Sequence, residues 1–207
     1  MTIVPTRTAL LVIDMQNDFL EPSSPLCAPD GLALMDKFLE LIEVCRAAGI
    51  EVIFTASVYA PGDSDLGRMG ELFPGLKGAN TLRRGSHGAQ IHERLVPRPE
   101  ELIVEKPRYS AFFRTGLDEH LRAKGIDTLI IGGVCTNVCC ESTARDALFR
   151  DYRVFFLADA TATYDLPDLG WGPVDHATVQ RIALTDIAMH LGKVVTVAEI
   201  IQEIEGG

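Results

Sequence analysis

Three residues far apart in the chain carry groups suited to nucleophilic chemistry: the carboxylate of Asp14, the ammonium of Lys106 and the thiol of Cys139. A thiol in the first turn of a helix is favoured as its thiolate by unpaired backbone N–H groups and the helix dipole. A neighbouring carboxylate can take its proton and an ammonium can hold both groups in place, which turns an ordinary cysteine into a nucleophile at neutral pH. Singly, each residue has a plainer reading. Cys139 reads as a small buried hydrophobe, and Lys106, before Pro107, as a solvated loop residue. Asp14 directly follows an apolar run, where a carboxylate is costly unless it is paired or working.

The elements that must bring them together follow from the hydrophobic pattern. Short β-branched runs alternate with longer stretches of helical period, which predicts an α/β fold: a three-layer α/β/α sandwich around a mostly parallel, Rossmann-like central sheet. Strands are expected at 8–13, 51–56, 101–104, 128–132 and 154–157, with a short last one at Val194 and Val195. Leu32, Met35, Phe38, Leu39 and Ile42 recur at three and four and predict a helix ended near Gly49. Further helices are expected at 117–124, 139–149 and 174–190, each a right-handed crossover between two strands. In open parallel sheets ligands bind beyond the carboxyl ends of the strands. Asp14 follows the first strand, Lys106 the third, and Cys139 opens the helix after the fourth, so the topology lets the three meet.

Residues 59–84 include Pro61, Gly62, Gly67, Gly70, Pro74, Gly75 and Gly78, the composition of a long irregular excursion that covers a site. Arg83 and Arg84 at its end are read as a solvated pair in preference to a clamp for a substrate carboxylate. The stretch 166–174 with Trp171 suits an interface, a lid or core packing.

Composition narrows the function further. A chain of 207 residues with 47% hydrophobic content has the size of one domain, 1–207, with a full core. Its formal charge of -10 repels a phosphate backbone, and no Lys/Arg stripe runs along a helix, so nucleic acid is not the expected partner. The apolar runs are too short to span a bilayer, no membrane association is expected, and the absence of a leader pattern makes the cytoplasm the expected compartment. Five cysteines, an odd number in a chain of this size, are expected as thiols. Cys135, Cys139 and Cys140 lack the spacing of a zinc site, and neither metal nor cofactor is expected.

Three segments carry a resemblance. Asp14-Met15-Gln16-Asn17-Asp18-Phe19, Lys106-Pro107-Arg108-Tyr109-Ser110-Ala111-Phe112, and the run from Gly132-Gly133-Val134-Cys135 through Thr136-Asn137-Val138-Cys139-Cys140-Glu141 to Ala147 resemble the three motifs of the isochorismatase-like cysteine hydrolases. The match runs in order over about 7–200 and is closest to the ureidoacrylate and biuret amidohydrolase branch. The resemblance implies Cys139 as nucleophile, Asp14 as general base and Lys106 as the residue that orients and charges the pair. It implies a cis peptide before Cys135, with the N–H groups of Cys135 and Cys139 forming an oxyanion hole. Tyr109 matches a substrate-pocket position. Asn137, beside the nucleophile, is a second substrate-binding candidate, although capping of the helix is the preferred role.

Departures from the family pattern also inform. Cys140 stands where an apolar residue is common and is read as packing. Where metal-binding nicotinamidases carry Asp-x-His, this chain reads Thr55-Ala56-Ser57-Val58-Tyr59, so no metal is implied. Isochorismatases that split a vinyl ether lack the cysteine. The implied reaction is hydrolysis of a small carbamoyl or ureido amide through a thioester, with N-carbamoyl amino acids, maleamate or nicotinamide as alternative substrates. A homodimer or homotetramer is the implied assembly. Two rival classes are weaker. Cys139 and Arg145 satisfy the C-x5-R spacing of a phosphatase loop, but the intervening residues contain no glycine and a regular helix turns Arg145 away. A catalytically silent scaffold would keep the fold without needing all three reactive residues.

Overall fold

The side-chain alternation of six strands decides the layers. The computed structural model describes residues 2–73, 76–78 and 80–206. Its strands are β1 (Thr8–Ile13), β2 (Glu51–Ser57), β3 (Leu102–Lys106), β4 (Thr128–Val134), β5 (Arg153–Ala162) and β6 (Lys193–Val195). They form one sheet in the order β3-β2-β1-β4-β5-β6, with every pairing parallel. Leu10, Val12, Phe54, Ile130 and Phe155 point to one face of the sheet. Leu11, Ile13, Ile53, Leu129, Ile131 and Phe156 point to the other, as period-two alternation in a doubly covered sheet requires.

The helices are α1 (Asn17–Leu20), α2 (Met35–Ala48), α3 (Met69–Leu72), α4 (Leu117–Ala123), α5 (Glu141–Leu148), α6 (His176–His190) and α7 (Val197–Glu205). Met35, Phe38 and Leu41 of α2 and Ile200 of α7 fill the first face, while Leu117 and Leu121 of α4, Ala144 of α5 and Ile187 of α6 fill the second. Each large side chain buried this way contributes about 1.5–3 kcal/mol. Gly49 ends α2 in the left-handed conformation, where its N–H and that of Ile50 close on the last carbonyls. Among the described residues no helix is long and apolar enough to cross a membrane.

The expected α/β/α sandwich is present, with refinements. β5 runs to Ala162 rather than 157, because Ala160 and Ala162 pack into the core without the bulky alternation that marks a strand. β3 extends through Lys106, which is its last residue. Helix α7 was not anticipated; Thr196 and Glu199 form a capping box at its start, and its short apolar face lies directly after a three-residue strand. Leu166 and Val174 pair as an antiparallel bridge, and Trp171 beyond them is 94% exposed, which rules out core packing for that residue. The excursion pairs Tyr59 with Arg83 where it leaves and returns; its Pro74 and Gly75 lie outside the described residues.

Candidate active site

The strand order reverses between β1 and β4, and that crevice is where a doubly wound sheet places its ligand. Asp14 leaves the end of β1 with φ of 50°, a left-handed conformation that aspartate tolerates better than most residues. Its backbone N–H donates to Thr55 Oγ1 at 3.1 Å, and the Thr55 hydroxyl donates back to Oδ1 at 2.5 Å. Lys106 ends β3 and lies in register with Ser57 of β2. Its Nζ reaches Asp14 Oδ2 at 2.6 Å and Cys139 Sγ at 3.3 Å, and it also donates to the Arg108 carbonyl at 3.2 Å. The contact with Oδ2 is an ion contact, and among the described residues that oxygen has no hydrogen bond of good geometry. The Asp14 and Lys106 side chains are both sealed from solvent.

Cys139 sits in a wide π-type turn, Thr136–Cys140, that runs into α5. The Cys135 carbonyl accepts the N–H groups of both Val138 and Cys140 and anchors the turn. Such turns interrupt regular helices at functional sites more often than elsewhere. The Val134–Cys135 peptide bond is cis. Thr143, one turn into α5, donates to the Cys139 carbonyl at 2.7 Å and accepts the Ala111 N–H at 3.0 Å, tying the cysteine turn to the segment after Lys106. The close approach of β4 to β1 requires Gly133: its φ is 127°, and a Cβ there would lie 2.0 Å from the Ile13 carbonyl oxygen.

The electrostatics correct one expectation. Burial pushes the Cys139 thiol up to about 12; the Lys106 ammonium pulls it down and the Asp14 carboxylate adds to the rise. Burial therefore disfavours a resting thiolate at Cys139, and the Lys106 ammonium opposes this only in part. Burial opposes the charge on Lys106, yet Asp14 and Cys139 hold its ammonium above the ordinary range. At neutral pH the resting site contains a thiol beside an ion pair.

Cys139 and Cys135 open onto a cavity of roughly 90 Å³. Tyr109 lines it, together with Tyr59 and Tyr164, two residues the sequence reading did not single out. Phe19 of the first motif and Leu76 and Leu82 of the excursion complete its apolar walls. Asn137 is not among the lining residues and does not cap the turn; its Oδ1 accepts the Thr163 hydroxyl at 2.6 Å. Cys140 is buried in the same core cluster as Cys139 and does not line the cavity. The expected solvated pair divides: Arg83 is buried against Asp63 and the Leu76 carbonyl, whereas Arg84 is exposed and pairs with Glu105 at the surface. Arg145 is held by Glu141 at 2.9 Å and Asp186 at 3.1 Å, as a helical position pointing away from the thiol implies. Among the described residues no group of His, Cys, Asp and Glu is arranged to hold a metal ion.

Comparison with known proteins agrees with this fold. The family model for the isochorismatase domain matches residues 8–199, and the chain belongs to that family. A cysteine hydrolase from Pseudomonas syringae pv. phaseolicola 1448A has a solved structure that superposes with a TM-score of 0.96 at 42% identity, covering 100% of this chain and 96% of that one. Nicotinamidase 3 of Arabidopsis thaliana is 39% identical over 160 residues, 76% of this chain and 74% of the relative. Ureidoacrylate amidohydrolase RutB of Azorhizobium caulinodans is 32% identical over 217 residues, 96% of this chain and 91% of the relative. The chain is thus an isochorismatase-like hydrolase of the amidohydrolase kind, acting on C–N bonds other than peptide bonds.

Proposed function

We propose that this chain is a cysteine-dependent amidohydrolase that cleaves a small carbamoyl or ureido amide through a thioester and releases ammonia. The observation that carries this reading is the single ammonium of Lys106 touching both the Asp14 carboxylate and the Cys139 sulfur. Asp14 Oδ2 takes the thiol proton as the sulfur attacks the amide carbon, so charge separation happens beside a fixed cation. The N–H groups of Cys135 and Cys139 receive the tetrahedral oxyanion, each worth about 3–4 kcal/mol by the usual cost of losing such a donor. The proton on Asp14 then passes to the leaving nitrogen, the C–N bond breaks and ammonia departs. Asp14, ionised again, draws a proton from water, whose oxygen attacks the thioester; the C–S bond breaks and Asp14 returns that proton to the sulfur, restoring the thiol.

The test is ammonia release from ureidoacrylate, biuret, an N-carbamoyl amino acid, maleamate and nicotinamide, measured beside Cys139→Ala. Release that disappears in the variant while its circular dichroism is unchanged is the expected result. Release that survives the substitution would remove Cys139 from the mechanism.

A further inference from the structure

Resting on that reading, we infer that the substrate is an uncharged amide with a compact apolar body, and that amides bearing a carboxylate are turned away. The walls of the cavity above Cys139 come from Phe19, Leu26, Met69, Phe73, Leu76 and Leu82, and its polar atoms from the hydroxyls of Ser57 and three tyrosines and from thiols. No lysine, arginine or histidine is among its described lining residues, and the positions outside the described residues are Met, Pro, Gly, Ala and Gly. Four cations near it already have a counter-charge or a set of carbonyls. Lys106 is closed between Asp14 and Cys139, with its side chain sealed. Arg83 lies over the Tyr59 ring, 5.6 Å from its centroid, and its guanidinium is taken by Asp63 and the Leu76 carbonyl. Arg84 pairs with Glu105. Arg108 donates to the carbonyls of Asp65 and Pro107.

A carboxylate entering this space would lose its water and meet only neutral groups, against the Asp14 charge behind the thiol. An uncharged amide keeps its own hydrogen bonds available for the tyrosine hydroxyls and the two backbone N–H groups. Burial also raises these phenols, Tyr109 to about 12, so they stay protonated and able to donate. A space of roughly 90 Å³ is small beside the usual ligand pocket of about 300–1,000 Å³. That admits a short hydrocarbon chain or a small flat body.

The experiment uses two readouts on the intact protein. First, Cys139 is alkylated at pH 9 with iodoacetamide or with iodoacetate, and its modification is followed by peptide mass because Cys27 is partly accessible. The same pair is run on glutathione to set the intrinsic reactivity ratio. The expected result is a preference for the neutral reagent at least 100-fold beyond that of glutathione, shrinking at least tenfold in Met69→Lys, which adds a cation to the wall. A ratio equal to that of glutathione, or no modification of Cys139 by either reagent, overturns the inference. Second, ammonia release is compared for crotonamide and maleamate, and for n-propylurea and N-carbamoyl-β-alanine. Faster turnover of the neutral member by 100-fold or more supports the inference; equal or faster turnover of the carboxylate member overturns it while leaving the amidohydrolase standing. A large reagent preference with no ammonia from any compound would instead support the neutral cavity and count against the amidohydrolase.

Discussion

Lys106 Nζ lies 2.6 Å from Asp14 Oδ2 with both side chains at 0% exposure. Two opposite charges taken wholly out of water are tolerated together and not singly, because removing one leaves the other buried without compensation. The pair is thus a structural liability kept at the one place where the chain also sets a thiol against the same ammonium.

Breaking the pair from one side should therefore cost more than removing it. Lys106→Met is expected to lose about 3–5 kcal/mol of unfolding free energy, read from urea denaturation. The double variant Asp14→Asn, Lys106→Met should recover most of that loss and remain inactive. A double variant no more stable than the single one would show that the ion contact does not set the cost.

The second prediction concerns the protonation of Cys139. With the thiol pushed up to about 12 by burial, the thiolate fraction at lower pH rises about tenfold per pH unit. Alkylation of Cys139 by iodoacetamide should climb tenfold per unit from pH 7 to 10, without the plateau that a low-pKa catalytic thiol shows. Because the Lys106 ammonium pulls the thiol down, Lys106→Met should react more slowly at every pH in that range. A plateau below pH 8 would mean that the free enzyme holds a preformed thiolate, and the proton transfer to Asp14 would then precede substrate binding.

How much of this was legible in the chain differs by residue. Asp14, Lys106 and Cys139 were legible through the three motifs that resemble the family, and parallel topology, which gathers strand ends, allowed them to meet. Thr55 escaped notice: its hydroxyl engages Asp14 from both sides, but a β-branched polar residue in an apolar run also suits an ordinary strand. Tyr59 and Tyr164 reach the cavity only through long-range pairing. Tyr59 is placed by backbone bonds with Leu82 and Arg84, and Tyr164 by the extension of β5 past its apolar start. Arg83 looked solvated because nothing local announces Asp63 as its partner across 20 residues. Such contacts follow from how the excursion closes, which no short window of sequence contains.

Gly133 supplies the last prediction, since it marks where β4 must pass β1 to put Cys139 near Asp14. The sequence reading ended the strand at 132. The structure carries the strand on to Val134, with a register shift against β5 between Ile131 and Gly133. A methyl group at 133 would sit 2.0 Å from the Ile13 carbonyl oxygen, on backbone that cannot rotate away, and at a φ of 127° that L side chains rarely adopt. Gly133→Ala is expected to cost more than about 4 kcal/mol, the range reserved for a few severe mechanisms, and to leave most of the protein insoluble. Gly49→Ala is the control: its φ of 75° is also positive, but nothing lies within 4 Å of the added methyl, so a loss of about 1–2 kcal/mol is expected. Urea denaturation of both variants separates the two causes. Similar losses would mean that β4 and β1 can spread apart at 133, and that the spacing between Asp14 and Cys139 does not depend on that glycine.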